Sequence, residues 1–584
     1  MGLREKFEAT RAVCVEAWRR PGSQKSAVWA STLLLLVVMG AYLGVWVQGN
    51  WDMLTDPRLQ NSDARTSIFP FHRYADGSLR DDPIANEMLA LVPIGVHALY
   101  RVLVPLTDVF IAPKIVQGIA LAILVYAAAV LARSRRAGFG AAALLLFLVL
   151  HDWFAVYRIA GGLPRAFGFP LFALWLAGVL GNRPWARRAA PVLSALTYPS
   201  VMNMLLAAEG LYALRGLGRV EWSVVGRRLL RFGAVVALCF LAVLPAVVGG
   251  DDRGPVHTLA EAQEEPAFGK AGRLWVLPFE EPTGAFGQAF VDQLNPRGKS
   301  FAPALREFYD KDPQAFAVGI FAALLLLPFL RATPPPWLAL VFFSGTTFIY
   351  VLSRVLAFSL YSPERYFSFG MRMASITLLV VLLGQVGYWL RGAGRVVTRN
   401  VVAAGFVLAI WGLSGSGVVP RNGMTIDQRT DRSMYEFIAQ LPKDVRFASH
   451  PMDGDGIPYY SARATMGAFE TLQPWFTKSW RAQRERCEDT LQAMYATDVA
   501  VLRDYVQKHG VTHFLVNTRR YEGDVADRSE SFEPFTEFSK ELLSGVEASD
   551  LLFKRLPRES VVFRLGRWRV VDAELLLREL ESRQ

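Results

Sequence analysis

Residues 31–47 read STLLLLVVMGAYLGVWV, a run of seventeen residues without a charged side chain. The hydrocarbon core of a bilayer is about 30 Å thick, so that a spanning helix needs roughly 20 predominantly apolar residues. Backbone groups in lipid must also find their hydrogen bonds within the helix itself. The run therefore predicts a membrane-spanning helix over about Val28–Val47.

Further runs of the same character follow along the chain, which has 584 residues, 52% of them hydrophobic, and a mean hydropathy of +0.25. They predict a polytopic α-helical membrane protein with about 9–11 transmembrane helices. The runs are Ile111–Ala132, Ala141–Leu150, Phe232–Val248, Ala315–Leu330, Leu338–Val351, Ile376–Leu390 and Val401–Leu413.

The distribution of arginine and lysine predicts the orientation. The net charge is +11, and basic residues of membrane proteins concentrate in cytoplasmic segments. Residues 1–27 are basic and amphipathic and are predicted to form a cytoplasmic tail, whereas residues 28–418 form the multi-pass domain. A basic soluble face with aromatic residues is lacking, which argues against nucleic-acid binding.

Two apolar stretches interrupt the simple pattern of crossings. Met88–Val104 contains Pro93 and is predicted to be an interfacial or re-entrant helix. Ala189–Leu214 is broken at Tyr198-Pro199, which predicts a pair of half helices because proline removes a backbone hydrogen bond. Whether or not these two stretches cross, the parity stays odd. The C-terminus is then predicted to lie outside the cytoplasmic membrane of a bacterium.

The composition becomes that of a soluble protein from about Val419 onward. A helix over Met434–Gln440, a strand over Val445–Ser449 and a helix over Thr497–His509 are predicted, followed by a strand over Thr512–Asn517. Val561–Leu565 and Trp568–Val571 predict a late hairpin. Residues 419–584 are therefore expected to form an extracytoplasmic α/β domain.

The first predicted outer loop, 48–87, holds the candidate general base. Asp63 follows the first helix closely, where a carboxylate at the membrane surface can take a proton from an acceptor hydroxyl. Arg65 and His72 lie nearby and are supporting candidates. The alternative is a solvated aspartate that is merely paired with Arg65.

Arginines in the other outer segments are candidate phosphate ligands. Arg158 and Arg165 flank two glycines, and a guanidinium offers a planar fork that matches a phosphate group. The alternative for both is snorkelling toward lipid headgroups. Arg354 lies near the outer end of a membrane helix, a costly position that marks functional residues.

The segment that follows Arg354 adds three candidates. Arg365 is a further phosphate ligand, and Glu364 and Tyr366 support it. A structural ion pair between Arg354 and Glu364 is the alternative. The long loop 249–314 is also predicted to lie outside, and loops of that length are usually functional or disordered.

The sequence carries no metal-binding or cofactor motif. Its three cysteines form no CxxC pair, and there is no P-loop, GxSxG or HExxH. His450, Asp453 and Asp455 match no strong ligand spacing, and His151-Asp152 is expected to be structural. No cofactor is predicted, and a divalent metal has no ligand motif to support it.

Taken together, these features resemble the GT-C superfamily of membrane glycosyltransferases. The resemblance implies many membrane helices, an essential acidic residue in the first outer loop, a polyprenyl-phosphate-linked sugar donor and a soluble outer domain. It is carried by Asn61-Ser62-Asp63-Ala64-Arg65, Met88–Val104, Gly162-Leu163-Pro164-Arg165-Ala166-Phe167, Tyr198-Pro199 and Pro363-Glu364-Arg365-Tyr366.

The chain also resembles uncharacterised bacterial membrane proteins of this layout, in which the loop often reads Asp-Asp-Ala-Arg. Ser62 stands here in place of the first acid of that pair. A single carboxylate is a poor ligand set for a divalent cation, so this departure weakens a metal-binding role. The general-base role of Asp63 is unaffected by it.

The expected function is transfer of a sugar from a polyprenyl-phosphate donor to a lipid, glycan or protein acceptor at the outer face. Asp63 is the expected base, and Arg354 and Arg365 the first-choice phosphate ligands. Two alternatives remain open. A transporter or lipid flippase would use Glu209 and Asn203 beside the Tyr198-Pro199 break, and a non-catalytic scaffold would use the outer domain alone.

Overall fold

The computed structural model describes most residues of the chain. These are 21–134, 138–214, 221–248, 253–274, 337–360, 362–385, 393–413, 419, 425–427 and 430–583.

The N-terminal part, through residue 264, is helical apart from one short strand. Helix α1 is Pro21–Thr55, and strand β1, Leu59–Asn61, follows it. The remaining helices of this part are α2 (Ala64–Ile68), α3 (His72–Ala75), α4 (Pro83–Ala90), α5 (Ile94–Leu106), α6 (Ala112–Ala132), α7 (Gly138–His151), α8 (Trp153–Ile159), α9 (Gly168–Leu180), α10 (Pro184–Thr197), α11 (Pro199–Ala213), α12 (Trp222–Val248) and α13 (Leu259–Glu264).

Three further helices complete the apolar part of the molecule. They are α14 (Trp337–Val355), α15 (Pro363–Gln385) and α16 (Ala393–Leu413). Helix α16 packs along α1, and α14 packs along α15. The predicted run Ala315–Leu330 lies outside the described residues.

Within the described ranges, four helices are long and apolar enough to cross a membrane: α1, α6, α12 and α16. A bent pair, α7 with the segment that begins at Trp153, makes an angle of 79° and would count as a fifth. Four shorter apolar helices accompany them: Ile94–Leu106, Pro164–Leu180, Leu338–Ser353 and Ser368–Gly384. The chain is thus a multi-pass α-helical membrane protein. The figure of 9–11 crossings stays a prediction.

Two predicted segment boundaries are wrong. The first helix continues to Thr55, beyond the predicted end at Val47. Met88–Val104 is not one helix either. Helix α4 ends at Ala90, and Pro93, with a ψ of 143°, is the non-helical residue directly before α5.

The break at Tyr198-Pro199 is confirmed. Helix α10 ends at Thr197 and α11 begins at Pro199, with Tyr198 between them in a non-helical conformation. Proline at the first position of α11 lacks only an N–H group that a helix start leaves unbonded.

The C-terminal domain is a five-stranded sheet with helices on both faces. Strand β2, Thr425–Asp427, precedes it. The sheet order is β4-β3-β5-β7-β6, in which β3 pairs in parallel with β4 and β5, and β7 pairs antiparallel with β5 and β6. The strands are β3 (Arg446–Ser449), β4 (Ala464–Thr465), β5 (His513–Asn517), β6 (Val561–Leu565) and β7 (Trp568–Asp572).

Alternation along the strands places the two cores of this domain on opposite faces. Leu515 packs toward α17 (Arg432–Gln440) and α18 (Gly456–Ser461). Phe514 packs on the other face, where the helices are α19 (Thr477–Met494), α20 (Val499–His509), α21 (Val525–Arg528), α22 (Phe535–Leu542) and α23 (Ala573–Glu581). The predicted α/β class and the late hairpin are confirmed.

The C-terminal domain is attached directly to the loop that follows α1. Strand β1 pairs antiparallel with β2, so that Asn61 lies opposite Thr425. The ring of His72 donates from Nε2 to the carbonyl oxygen of Tyr459 at 2.7 Å. Residues 253–274 also contact the domain, through a bridge between Val256 and Phe476.

Arg463 fixes the end of α17 inside this domain. Its buried guanidinium donates to the carbonyl oxygens of Leu441 and Ala439, and also to those of Ser461 and Ala462. Carbonyl groups at a helix end need such partners when they are buried. Charged hydrogen bonds of this kind are among the stronger ones in proteins.

We therefore expect Arg463→Gln to lower the free energy of unfolding of the C-terminal domain by about 2–4 kcal/mol, because buried carbonyl groups lose their donors. Thermal unfolding of the full chain in detergent, combined with limited proteolysis, measures this. Arg564→Gln is the control, since Arg564 is exposed on the neighbouring hairpin. Equal behaviour of the two variants would contradict the assignment.

Candidate functional site

Asp63 lies between β1 and α2, at the point where the chain leaves the strand pair. Its backbone N–H donates to Oδ1 of Asn61 at 3.1 Å. The β1–β2 pairing holds Asn61, and Asn61 in turn fixes the turn that presents the carboxylate. The side chain of Asp63 keeps 24% of its surface exposed, so that another molecule can reach it.

Arg165 is the direct partner of this carboxylate. It forms an ion pair with Oδ2 of Asp63, and its second terminal nitrogen donates to Oδ1 of Asn61 at 3.1 Å. The hydroxyl of Tyr157 donates to the same Oδ2 of Asp63 at 3.1 Å. Arg165 itself is buried, and its guanidinium lies 4.7 Å from the centre of the Tyr157 ring.

Two more guanidinium groups surround the pair. The charges of Arg158 and Arg365 both act on Asp63, and those of Arg165 and Arg365 both act on Arg158. Arg158 is held by aromatic faces, at 4.6 Å from the Phe154 ring. Three arginines from two parts of the chain, residues 158–165 and residue 365, therefore act on one carboxylate.

Some donor capacity of these arginines is unused. The Nε atoms of Arg158 and Arg165 are buried and have no hydrogen-bond partner among the described residues. A buried donor without a partner costs free energy of desolvation. An anion with several acceptor oxygens would relieve this cost, because the fork of a guanidinium matches a phosphate group.

The electrostatics keep Asp63 ionised. Burial by itself raises the pKa of this carboxyl, but the charge and hydrogen bond of Arg165 outweigh burial, and Arg365 and Arg158 add to them. The net result is a pKa well below the usual range of aspartate. The carboxylate is therefore charged at neutral pH, and its basicity is controlled by the arginines around it.

Two glycines let the arginine-bearing segment approach the loop. Gly161 and Gly162 have φ angles of +83° and +68°, which favour glycine. A Cβ on Gly161 would lie 2.7 Å from Cβ of Asn61, and one on Gly162 would lie 2.5 Å from the carbonyl oxygen of Pro113. From the sequence, the two glycines are candidates for letting the backbone approach a phosphate. In the structure they allow close packing against Asn61 and Pro113.

The supporting candidates have structural partners. Arg65 does not pair with Asp63, which corrects that alternative: its guanidinium lies 3.7 Å from Oδ2 of Asp455 in the C-terminal domain. His72 is buried against Tyr459, and burial lowers its pKa. Both residues connect the loop to the C-terminal domain.

Tyr366 also connects structural elements. Its hydroxyl donates to the carbonyl oxygen of Leu360 at 2.5 Å and accepts from Nδ2 of Asn203 at 2.9 Å. It therefore ties α15 to α11 next to Arg365. The side chains of Arg354 and Glu364 lie outside the described part of the chain, so that their assignment and their proposed pairing stay predictions.

The weaker candidates have partners of their own. Asp152 caps α8 and forms an ion pair of 2.7 Å with Arg372, while the ring of His151 contacts the hydroxyl of Tyr42. Asp453 pairs with Arg520 at 2.5 Å. Within the described residues, no group of three His, Cys, Asp or Glu side chains has the geometry of a metal site.

The residues named for a transporter also have partners. Glu209 lies 3.0 Å from Nε of Arg187, and the indole of Trp175 donates to its carboxylate at 3.4 Å. Asn203 donates a hydrogen bond to the hydroxyl of Tyr366. The ion pair with Arg187 accounts for the burial of this acid.

Tyr157 is the contact that sequence reasoning missed. It stands one position before Arg158 in a segment that was already singled out, but a tyrosine in an apolar helix gives no signal of its own. Only the bend between α7 and α8 turns its hydroxyl toward Asp63.

Comparison with known proteins gives matches at the level of structure only. No family model and no curated protein matches the chain. It is similar to the apo oligosaccharyltransferase of Archaeoglobus fulgidus, with a TM-score of 0.43 at 11% identity, over 90% of this chain and 73% of that one. It is also similar to ArnT from Cupriavidus metallidurans bound to undecaprenyl phosphate, with a TM-score of 0.41 at 16% identity, over 92% and 97% of the two chains.

A further structure of the Archaeoglobus fulgidus protein, AglB in complex with an inhibitory peptide and a dolichol-phosphate, aligns with a TM-score of 0.43 at 11% identity. It covers 90% of this chain and 72% of that chain. At such values, the assignment of a function depends on the arrangement of this chain's own residues.

Gly162→Ala tests the glycine packing. We expect it to lower the unfolding temperature, because a left-handed conformation costs a non-glycine residue about 1–2 kcal/mol and the new Cβ meets the backbone of Pro113. Gly118→Ala is the control, since a Cβ there meets nothing within 4 Å and α6 gains a better helix former. Scanning calorimetry of both variants measures the difference, and a neutral Gly162→Ala would contradict the packing argument.

Asp455 predicts a dependence of stability on pH. Burial raises the pKa of its carboxyl from 3.8 to about 6, although the Arg65 charge opposes this. The native state then binds more protons than the unfolded state between these two values, so that stability falls as pH rises through this window.

Asp455→Asn removes the titrating group. We expect the stability of the unmodified protein to fall relative to this variant by up to about 3 kcal/mol between pH 4 and pH 6, and to stay level above that. Thermal unfolding across pH 3.5–8 measures the difference. Parallel curves for the two proteins would exclude the shift.

Proposed function

We propose that this protein is a membrane glycosyltransferase that moves a sugar from a polyprenyl-phosphate-linked donor to an acceptor hydroxyl on the extracytoplasmic face. The observation that carries the proposal is the ion pair of Asp63 with Arg165, in an environment where the charges of Arg158 and Arg365 act on the same carboxylate. One carboxylate and three guanidiniums supply a proton acceptor and an anion-binding group side by side. The resemblance to the GT-C superfamily agrees with this chemistry.

The charges suit a sugar phosphodiester better than they suit a neutral ligand. The donor carries one negative charge before transfer, and its leaving group is a phosphate monoester with about −1.5 to −2 charges at neutral pH. The second charge develops only as the C1–O bond breaks. Guanidiniums that are already in position then stabilise the transition state more than the bound donor.

Donor binding would also activate the base. In the described arrangement the ion pair with Arg165 holds the pKa of Asp63 far down, and such a carboxylate is a weak base. A donor phosphate that binds Arg165 and Arg158 draws positive charge away from Asp63. The pKa of Asp63 then rises, so that the base gains strength only when the donor is present.

The transfer replaces the bond between C1 of the sugar and the donor phosphate with a bond to the acceptor oxygen. The acceptor O–H gives its proton to the carboxylate of Asp63, and its oxygen forms the new bond to C1 of the sugar. The bond between C1 and the phosphate oxygen breaks, and its electron pair leaves with the polyprenyl phosphate. Arg365 and Arg158 stabilise that departing charge, and Tyr157 keeps Asp63 oriented through the bond to Oδ2.

The position of the site accounts for the lipid carrier. Asp63 follows α1, the first helix long enough to cross the membrane, and the arginines follow or begin other apolar helices. A polyprenyl chain can therefore stay in the bilayer while its phosphate reaches the guanidiniums. The C-terminal domain contacts both residues 253–274 and the loop that carries Asp63. We assign the acceptor to this region.

Asp63→Asn tests the base. We expect transfer to fall by about a hundredfold or more, because general-base catalysis is lost while size and shape are kept. Initial rates with a polyprenyl-phosphate sugar in proteoliposomes measure this. The matched control is Asp52→Asn, which removes an exposed carboxylate near the outer end of α1. Unchanged transfer by a normally folded Asp63→Asn variant would exclude the role.

Arg365→Gln tests the stabilisation of the leaving group. We expect kcat to fall by about a hundredfold, with a smaller change in KM, since the charge it stabilises appears mainly in the transition state. Arg101→Gln serves as the control, because Arg101 is exposed on α5. An increase in KM with an unchanged kcat would show that Arg365 contributes only to donor binding.

A further inference from the structure

A second polar site lies far from Asp63, between α9, α10, α11 and α12. It is a cavity of about 180 Å³. Arg187 and Arg188 line it from the start of α10, and Arg228 and Arg231 line it from α12. Glu209 of α11 is the acidic member of the described lining.

Basic side chains predominate in the described lining of this cavity. The charged side chains of the described lining are four guanidiniums and one carboxylate. Glu209 is already engaged, since it lies 3.0 Å from Nε of Arg187 and accepts from Trp175. Arg187 is further held over the Tyr212 ring at 4.6 Å. Like charges brought together in this way favour a bound anion.

The cavity lies at the opposite end of the helices from the carboxylate of Asp63. Arg165 directly precedes α9, whereas Gly178 and Val179, at the other end of α9, line the cavity. At a rise of 1.5 Å per residue this separation is about 15–20 Å. The basic residues around the cavity predict that this end is cytoplasmic.

Aromatic side chains place the cavity at the level of lipid headgroups. Trp185, next to the lining residue Pro184, is 50% exposed, and its ring lies 6.0 Å from that of Tyr126. Trp222, at the start of α12, is 77% exposed. Exposed tryptophan and tyrosine of membrane proteins mark the interface between hydrocarbon and water.

Helix α12 opens the cavity toward the bilayer. It carries Arg228, Arg231 and Phe232 on the lining, while Leu229 and Leu230 between them are exposed. An apolar exposed face that alternates with arginines is suited to contact acyl chains and headgroups together.

We propose that this cavity binds a phosphate group, supplied by the headgroup of an anionic lipid of the cytoplasmic leaflet. Guanidinium forks match the oxygens of a phosphodiester, and free phosphate shares this chemistry as the other source. The bound phosphate places a negative charge among these arginines and links α12 to the start of α10. This site is independent of the proposed transfer reaction.

The test compares two double variants of the full chain. Arg228→Gln with Arg231→Gln removes two lining guanidiniums. Arg183→Gln with Arg227→Gln removes two exposed arginines of the same end that do not line the cavity. Each protein, in neutral detergent, is titrated with phosphatidylglycerol or with phosphatidylcholine, and bound lipid is counted by native mass spectrometry.

We expect the unmodified protein and the Arg183/Arg227 variant to retain one phosphatidylglycerol, and the Arg228/Arg231 variant to bind it roughly thirtyfold more weakly. Equal weakening in both variants, or in neither, would overturn the proposal. Arg228→Lys with Arg231→Lys keeps the charge and guards against a folding defect. We expect this variant to bind with intermediate strength, because it loses the forks.

A second arm distinguishes the two sources of phosphate. Unfolding temperatures are compared in sodium phosphate and in sodium chloride of equal ionic strength, without added lipid. No difference, together with protection by phosphatidylglycerol, supports the lipid headgroup. Protection by inorganic phosphate that the Arg228/Arg231 variant loses supports the phosphate site with a soluble ligand. Protection by neither ligand overturns the site.

Discussion

The ion pair between Arg165 and Asp63 is the interaction on which the rest of the site depends. It joins a loop that follows the first long helix to a segment that begins another helix about a hundred residues later. Without it, the carboxylate would be an ordinary solvated acid at a membrane surface. With it, the acid, Tyr157 and two further arginines share one electrostatic environment.

The C-terminal domain takes part in building this site. Pairing of β1 with β2, the hydrogen bond from His72 to Tyr459 and the approach of Arg65 to Asp455 all act within a few residues of Asp63. The position of the proposed base therefore depends on contacts that a membrane domain alone would lack. Three contacts with this loop are more than a domain that is merely attached to the helical part would need to make.

The charged side chains at the two ends of the helical part suit different kinds of ligand. At one end, three guanidiniums surround a carboxylate that stays accessible, which suits a reaction in which charge moves. At the other end, four guanidiniums exceed one carboxylate, which suits a static anion. Helices α9, α10 and α11 run between these ends, and their buried apolar side chains separate the two clusters.

The sequence by itself determined the membrane class, the break at Tyr198-Pro199, the α/β character of the C-terminal domain and the candidates Asp63, Arg158, Arg165 and Arg365. Each of these follows from a local property: the length of an apolar run, the missing N–H of proline, alternation along a strand, or a charge beside a helix end. Only the tertiary structure decided which of these side chains contact each other.

The tertiary structure pairs Asp63 with Arg165 and places Arg65 beside Asp455. It also brings the hydroxyl of Tyr157 to the carboxylate of Asp63. Neighbours in sequence such as Asp63 and Arg65 are an obvious guess, but both residues lie at the start of one short helix. Their side chains diverge there, and partners from distant helices occupy the space on either side. Such choices depend on how helices pack, which no short stretch of sequence encodes.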